Sequence, residues 1–127
     1  MFKKLLLVVL GLALISGAVY GFILRYDYRL LKSSVVFAEG EVGYEPYLPF
    51  ELRSLNRIKA SPFAVPIFKL IEINGTNEGR MYALKALKEL DNEYFVSLEP
   101  KYRFSAETAN CMAGYTAFRV NLSELFE

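Results

Sequence analysis

The chain has 127 residues, of which 54% are hydrophobic, and a formal net charge of +1 from 15 basic and 14 acidic residues. Acidic and basic residues are interspersed, which argues against a nucleic-acid-binding protein, because such a protein carries a basic stripe. The chain contains no histidine and one cysteine. This composition excludes Ser-His and Cys-His nucleophile pairs and an intramolecular disulfide.

The first predicted element is a membrane-spanning helix. An uninterrupted apolar run begins at Leu5 and ends at Leu24, and about 20 helical residues span roughly 30 Å, the thickness of a bilayer core. Basic and aromatic residues typical of the headgroup level follow the run: Arg25, Tyr26, Tyr28 and Arg29. We therefore predict a bilayer-bound anchor with a juxtamembrane extension over residues 1–32.

A cleavable signal peptide is the alternative for this segment. Ser16 and Ala18 suit a cleavage site, and cleavage near Ala18 would release a secreted domain. We prefer the uncleaved anchor, because it accounts for the whole apolar run and for the residues that follow it. The numbers of basic residues before and after the apolar run do not decide which end of the helix lies in the cytoplasm. Because a four-residue leader with Lys3 and Lys4 is easily left in the cytoplasm, we expect an extracytoplasmic domain, facing the periplasm from a bacterial inner membrane.

Residues 33–127 are enough for one small extracytoplasmic domain. Helix formers predict that the first helix continues to residue 32, followed by a short strand at 35–38 and a loop at 40–49. A helix then follows Pro49, and a buried helix begins at Ser61-Pro62 and ends at Asn74-Gly75. The partial apolar stripe of the helix after Pro49 consists of Phe50, Leu52, Leu55 and Ile58.

The clearest soluble element is a helix over residues 76–90. Thr76 suits its N-cap, and Ala83, Leu84, Leu87 and Leu90 share one face. The pattern then predicts a short helix at 93–98, one strand at 111–121 with a bulge at residue 114, and a final turn capped by residue 121 or 123. The predicted fold is α+β and mostly helical: the membrane helix, then three or four short helices with a small sheet.

No residue pattern predicts a catalytic, cofactor or metal site. A zinc site needs four ligands. Because the chain has one cysteine and no histidine, carboxylates would have to supply the other ligands. Glu39, Glu41 and Glu45 lie in an acidic loop without EF-hand spacing, which is typical of a solvated segment. We therefore expect a protein that is not an enzyme. A small hydrolase or ligand-binding domain that uses carboxylates or lysine remains the alternative.

The loop GYEPYLPF is the predicted partner-binding segment. Its rigid aromatic and proline residues are of the kind that supplies interface hot spots: Tyr44, Pro46, Tyr47, Pro49 and Phe50. The alternative is that the same residues cap the domain's own core. The sequence favours a non-enzymatic single-pass protein that binds another protein, as an accessory subunit of an envelope complex or an immunity-type protein.

Overall fold

The structure is a computed structural model that describes residues 1–42, 50–114 and 116–127, with the side chains of residues 39–42 excluded. It is mostly helical with a three-stranded sheet, which confirms the predicted α+β class. The elements are α1 (Phe2–Lys32), β1 (Phe37–Val42), α2 (Phe50–Lys59), α3 (Ala64–Asn74), α4 (Asn77–Leu90), α5 (Asn92–Ser97), α6 (Glu99–Tyr102), β2 (Thr108–Gly114), β3 (Thr116–Asn121) and a 3₁₀ helix (Leu122–Phe126).

The helix α1 is continuous from the apolar run into the domain. It is long and apolar enough to cross a membrane, and its most apolar stretch has no residue buried inside the protein. Burial begins at Leu24 and continues at Asp27 and Leu31. This spacing of three and four residues places them on one face of the helix. The last turns of α1 therefore pack into the core of the domain.

The helix α2 confirms the element predicted after Pro49. Ile58 is fully buried, and Leu52 and Leu55 pack against the core. Phe50 does not belong to this stripe, because it is 67% exposed at the first residue of the helix. The prediction was wrong for Phe50, since a stripe with only approximate three-residue spacing drifts around a helix of 3.6 residues per turn.

The helix α3 begins at Ala64, later than the predicted start at Ser61-Pro62. The Ser61 hydroxyl donates to the Ile58 carbonyl at 2.8 Å, and its oxygen accepts from the Phe63 amide at 3.2 Å. Ser61 therefore closes the turn after α2 instead of capping α3. The predicted end at Asn74 is confirmed, with Gly75 as the C-cap.

The helix α4 confirms the clearest prediction and forms the centre of the core. The Thr76 side chain caps it by accepting from the Gly79 amide at 3.1 Å. Leu84 and Leu87 are fully buried, whereas Leu90 is 41% exposed. The prediction for Leu90 was wrong because this residue ends the helix, where the chain turns away into α5.

The start of α4 lies directly against the end of α1. The Thr76 amide donates to the Lys32 carbonyl at 2.9 Å, and the Thr76 hydroxyl donates to the Ser34 carbonyl at 2.6 Å. A Cβ atom at Gly79 would lie 2.5 Å from the Leu31 carbonyl oxygen. A residue without a side chain is thus required for this close approach.

The sheet has the order β1-β2-β3, with β1 parallel to β2 and β2 antiparallel to β3. The prediction of one strand at 111–121 was wrong, since these residues belong to two strands of a hairpin. Ala113 pairs with Thr116, and Gly114 has a φ of 59° in the connection between them. Glycine adopts this left-handed conformation without strain, so Gly114 ends a strand where a bulge was predicted. The strand β1 also extends into the first residues of the predicted loop.

Short elements close the C-terminal side of the core. The helix α5 ends before Pro100 as predicted, but Pro100 lies in the first turn of α6, which the sequence did not predict. Proline is tolerated there because its missing N–H has no helical partner. Asn121 caps the 3₁₀ helix by accepting from the Ser123 amide, as predicted. Phe126 stacks on Phe95 with ring centroids 4.4 Å apart.

Candidate functional site

The residues after the apolar run divide between two faces of α1. Arg25, Tyr26 and Arg29 are exposed, on the side of α1 that faces away from the buried residues. Tyr28 is half-buried and packs against the core, with the Lys32 ammonium 5.7 Å from its ring centroid. Three of the four predicted headgroup residues therefore face outward, and the fourth lies on the domain side.

A buried carboxylate joins α1 to α2. Asp27 is fully buried and accepts from the Ser54 hydroxyl at 2.7 Å. The Arg57 guanidinium donates to both of its oxygens, from Nε at 2.9 Å and from Nη2 at 2.6 Å. These hydrogen bonds raise the pKa of Arg57 above its usual value. The site has no unsatisfied carboxylate oxygen, which makes it a structural joint between α1 and α2.

A second buried carboxylate joins α3 to α6. Glu72 accepts from the Tyr102 hydroxyl at 2.6 Å and from the Lys101 ammonium at 2.5 Å. Burial, and then the hydrogen bond to Glu72, raise the pKa of Tyr102. Because both hydrogen-bond donors to Glu72 come from α6, this carboxylate is suited to holding α3 and α6 together.

The residues that the structure describes contain no group of three or more His, Cys, Asp and Glu side chains placed to hold a metal ion. Glu45 and the side chains of Glu39 and Glu41 lie outside that description. Cys111 is buried as predicted, and its thiol donates to the Ala109 carbonyl with a sulfur–oxygen distance of 3.6 Å.

The predicted partner-binding loop falls almost entirely outside the described residues. Tyr44, Pro46, Tyr47 and Pro49 are among residues 43–49, so their role stays a prediction. Phe50 is described, and its exposed ring lies 5.4 Å from the Arg53 guanidinium.

The structure reveals a groove that the sequence did not predict. It has a volume of about 370 Å³ and lies across β2 and β3, beside Val36, which precedes β1. Its lining residues are Val36, Asn110, Cys111, Met112, Ala117, Phe118 and Arg119.

The strand register places this groove on the face of the sheet opposite α4. Phe37 is buried against Tyr82 of α4, with ring centroids 4.7 Å apart, and it pairs with Cys111. Directly opposed residues of paired strands share a face. Cys111 pairs in turn with Phe118 in the antiparallel ladder, so Phe118 lies on the same face as Phe37. The neighbouring pairs, Met112 with Ala117 and Asn110 with Arg119, lie on the other face, which is the face of the groove. We call this surface the sheet groove.

The sheet groove combines an apolar surface with one cation at its edge. Val36 is 37% exposed, Ala117 is exposed, and Arg119 forms no ion pair with any residue in the described part of the chain. The sequence signal for this groove is Gly114 between two segments of strand-forming residues. Because those segments were predicted to form one strand, the antiparallel pairing between them, which creates the groove, was not predicted.

Comparisons of the chain with protein-family models, with curated proteins and with solved structures each gave no significant match.

Proposed function

We propose that this chain is a non-enzymatic, single-pass membrane protein whose small domain is held against the bilayer and binds another protein. It serves as an accessory subunit of an envelope complex or as an immunity-type protein. The observation that carries the proposal is the continuity of α1, which leads from an exposed apolar segment directly into the core at Leu24. A domain joined to its anchor in this way stays at a fixed distance from the bilayer.

Two surfaces support a binding role. The sheet groove exposes methionine and aliphatic side chains beside a guanidinium, and methionine and arginine are enriched at protein interfaces. The exposed Phe50 ends the loop that the sequence favours for partner binding.

The proposed orientation has the N-terminus in the cytoplasm and the domain in the periplasm of a bacterial cell. The short leader with Lys3 and Lys4 supports this direction, because a brief basic segment is readily retained on the cytoplasmic side.

Carbonate extraction, N-terminal sequencing and protease accessibility test the anchoring. We expect the full-length chain to stay in the membrane pellet with Met1 retained, and its C-terminus to be digested when protease is added outside the inner membrane. The core begins at Leu24, so a chain cleaved after Ala18 would still fold. A soluble protein that begins at Val19 would therefore replace the anchor with the secreted alternative.

Photocrosslinking in the native membrane tests the binding role. A photoreactive phenylalanine replaces Ala117 in the sheet groove, or Tyr47 in the predicted loop. The matched control is Phe104, which is 90% exposed outside the groove. We expect discrete adducts from the groove position, weakened by Met112→Arg, or from the loop position, weakened by Pro46→Ala. No adduct from either position, or the same adducts from Phe104, would contradict a specific partner.

A further inference from the structure

A small groove lies on the outer face of α1, where the apolar run ends. It has a volume of about 100 Å³ and is lined by Phe22, Arg25, Tyr26 and Arg29. At 3.6 residues per turn these positions lie opposite Leu24 and Leu31, which pack into the domain. The groove therefore faces the surroundings of the helix and is not covered by the described domain. We call it the anchor groove.

The anchor groove crosses the boundary between the hydrocarbon core and the headgroups. With a rise of about 1.5 Å per residue, Arg25 and Arg29 lie about 2 Å and about 8 Å beyond Leu24 along the helix axis. Phe22 lies about 3 Å on the apolar side of the same residue. One end of the groove is thus at the depth of lipid phosphates and the other is among acyl chains.

The positive charge in the anchor groove is not neutralised by the described residues. Neither Arg25 nor Arg29 forms an ion pair there. The carboxylate nearest to them in sequence, Asp27, is buried on the other face and engaged by Arg57. Two guanidinium groups one helical turn apart therefore face outward together. Guanidinium groups bind phosphate oxygens with a planar pair of hydrogen bonds.

We propose that the anchor groove binds an anionic phospholipid, with its phosphate between Arg25 and Arg29 and an acyl chain along Phe22. This inference rests on the proposed insertion of α1 in a bilayer. An anionic lipid is favoured over a zwitterionic one because the headgroup of the latter carries its own cation, which competes with the guanidinium groups for the phosphate. Tyr26 places an amphipathic ring beside the headgroup.

A single introduced fluorophore can report the lipid in this groove. The chain contains no tryptophan, so Phe22→Trp in the full-length protein gives one indole at the apolar end of the groove. The protein is reconstituted in mixed phosphatidylcholine and phosphatidylglycerol vesicles. Bromine, which quenches indole fluorescence on contact, is carried by the acyl chains of one lipid or of the other at equal total bromine.

We expect stronger quenching by brominated phosphatidylglycerol, corresponding to a local enrichment of about five-fold or more, the factor equivalent to about 1 kcal/mol. Arg25→Gln with Arg29→Gln should remove the preference. Lys3→Gln with Lys4→Gln, at the opposite end of the apolar run, should leave it intact. Circular dichroism checks that each variant keeps its helical content.

Each contrary result has a distinct meaning. Equal quenching by the two lipids, or a preference that survives the double arginine substitution, would overturn the lipid site while leaving the anchor in place. An indole that neither brominated lipid quenches would show that α1 is not inserted, and the proposed anchoring would fail together with the lipid site.

Discussion

At the scale of single residues, the most constrained group is the Asp27 carboxylate. It is fully buried, and the three hydrogen bonds from Ser54 and Arg57 replace its lost hydration. Removing one partner from a buried pair leaves an uncompensated charge and is more costly than never having the pair. The half-exposed Arg57 guanidinium moderates this cost, because water reaches one side of it.

We predict that Arg57→Gln lowers the free energy of unfolding of the full-length protein by about 2–3 kcal/mol. Urea denaturation in mild detergent, followed by near-ultraviolet circular dichroism, measures the change. The control is Arg53→Gln on the same helix, where the side chain is exposed and its guanidinium lies over the Phe50 ring. That change should cost less than about 0.5 kcal/mol. Equal effects of the two substitutions would contradict the assigned joint.

The Tyr82 hydroxyl is the second residue with a measurable consequence. It accepts from the Ala38 amide at 2.8 Å and donates to the Val36 carbonyl at 3.2 Å. Burial raises the pKa of Tyr82 to about 12, although the hydrogen bond from Ala38 opposes the shift. The unfolded chain then loses this proton near pH 10, before the folded protein does. Stability from Tyr82 is therefore complete below about pH 10 and is lost as the pH rises toward about 12.

We predict that Tyr82→Phe lowers the free energy of unfolding by about 1–3 kcal/mol at neutral pH, because the Ala38 amide loses its partner. The difference between the wild type and the variant should narrow between about pH 10 and about pH 12. Urea unfolding at a series of pH values measures the free energy of unfolding of the wild type and of the variant as a function of pH. Tyr102→Phe is the comparison, since it removes a different buried hydroxyl with a raised pKa. A constant difference across this range would show that Tyr82 ionises alike in both states.

At the scale of elements, local signals predicted the helices better than the strands. Gly75 marks a helix end and Thr76 marks a helix start through signals that lie within a few residues. The predicted end of α3 and the predicted start of α4 were therefore correct. The strands depend on pairing between distant residues, such as Phe37 with Cys111. No local pattern determines that pairing, and the hairpin around Gly114 was accordingly predicted as one strand.

We predict that Leu87→Ala lowers the free energy of unfolding by about 2–4 kcal/mol, the usual cost of a cavity at a buried leucine. The matched control is Leu90→Ala on the same helix, which should cost less than about 1 kcal/mol because the side chain is 41% exposed. Urea denaturation of both full-length variants gives the comparison. If Leu90→Ala cost as much as Leu87→Ala, the assigned packing of α4 would be wrong.

At the scale of the whole molecule, the end of α1 and the elements that follow it share one core. The predicted anchor segment contributes the buried residues Leu24, Asp27 and Leu31. At the start of α4, the Thr76 amide donates a hydrogen bond to the Lys32 carbonyl. The division of the chain at residue 32 is a prediction from hydropathy. This boundary separates the predicted membrane segment from the rest of the chain by amino-acid composition. The stability of the fold depends instead on which residues pack together, and that packing crosses the boundary.

We predict that a fragment of residues 24–127 unfolds cooperatively and that a fragment of residues 33–127 does not. The shorter fragment lacks two buried leucines and leaves Arg57 without Asp27, a loss of about 5 kcal/mol or more against a typical total of about 5–15 kcal/mol. Urea unfolding followed by near-ultraviolet circular dichroism distinguishes them. Cooperative unfolding of both fragments at the same urea midpoint would show that residues 24–32 add nothing to the domain.

The sequence by itself determined the long apolar N-terminal helix, the α+β class, most helix positions and the burial of Cys111, because hydropathy and capping act over a few neighbouring residues. Only the tertiary structure decided that Asp27 pairs with Arg57, that Leu90 and Phe50 face outward and that the sheet groove exists. Each of these depends on residues far apart in the chain that meet through packing. A sequence pattern places a residue on a face of its own element, whereas the neighbouring elements decide whether that face is covered.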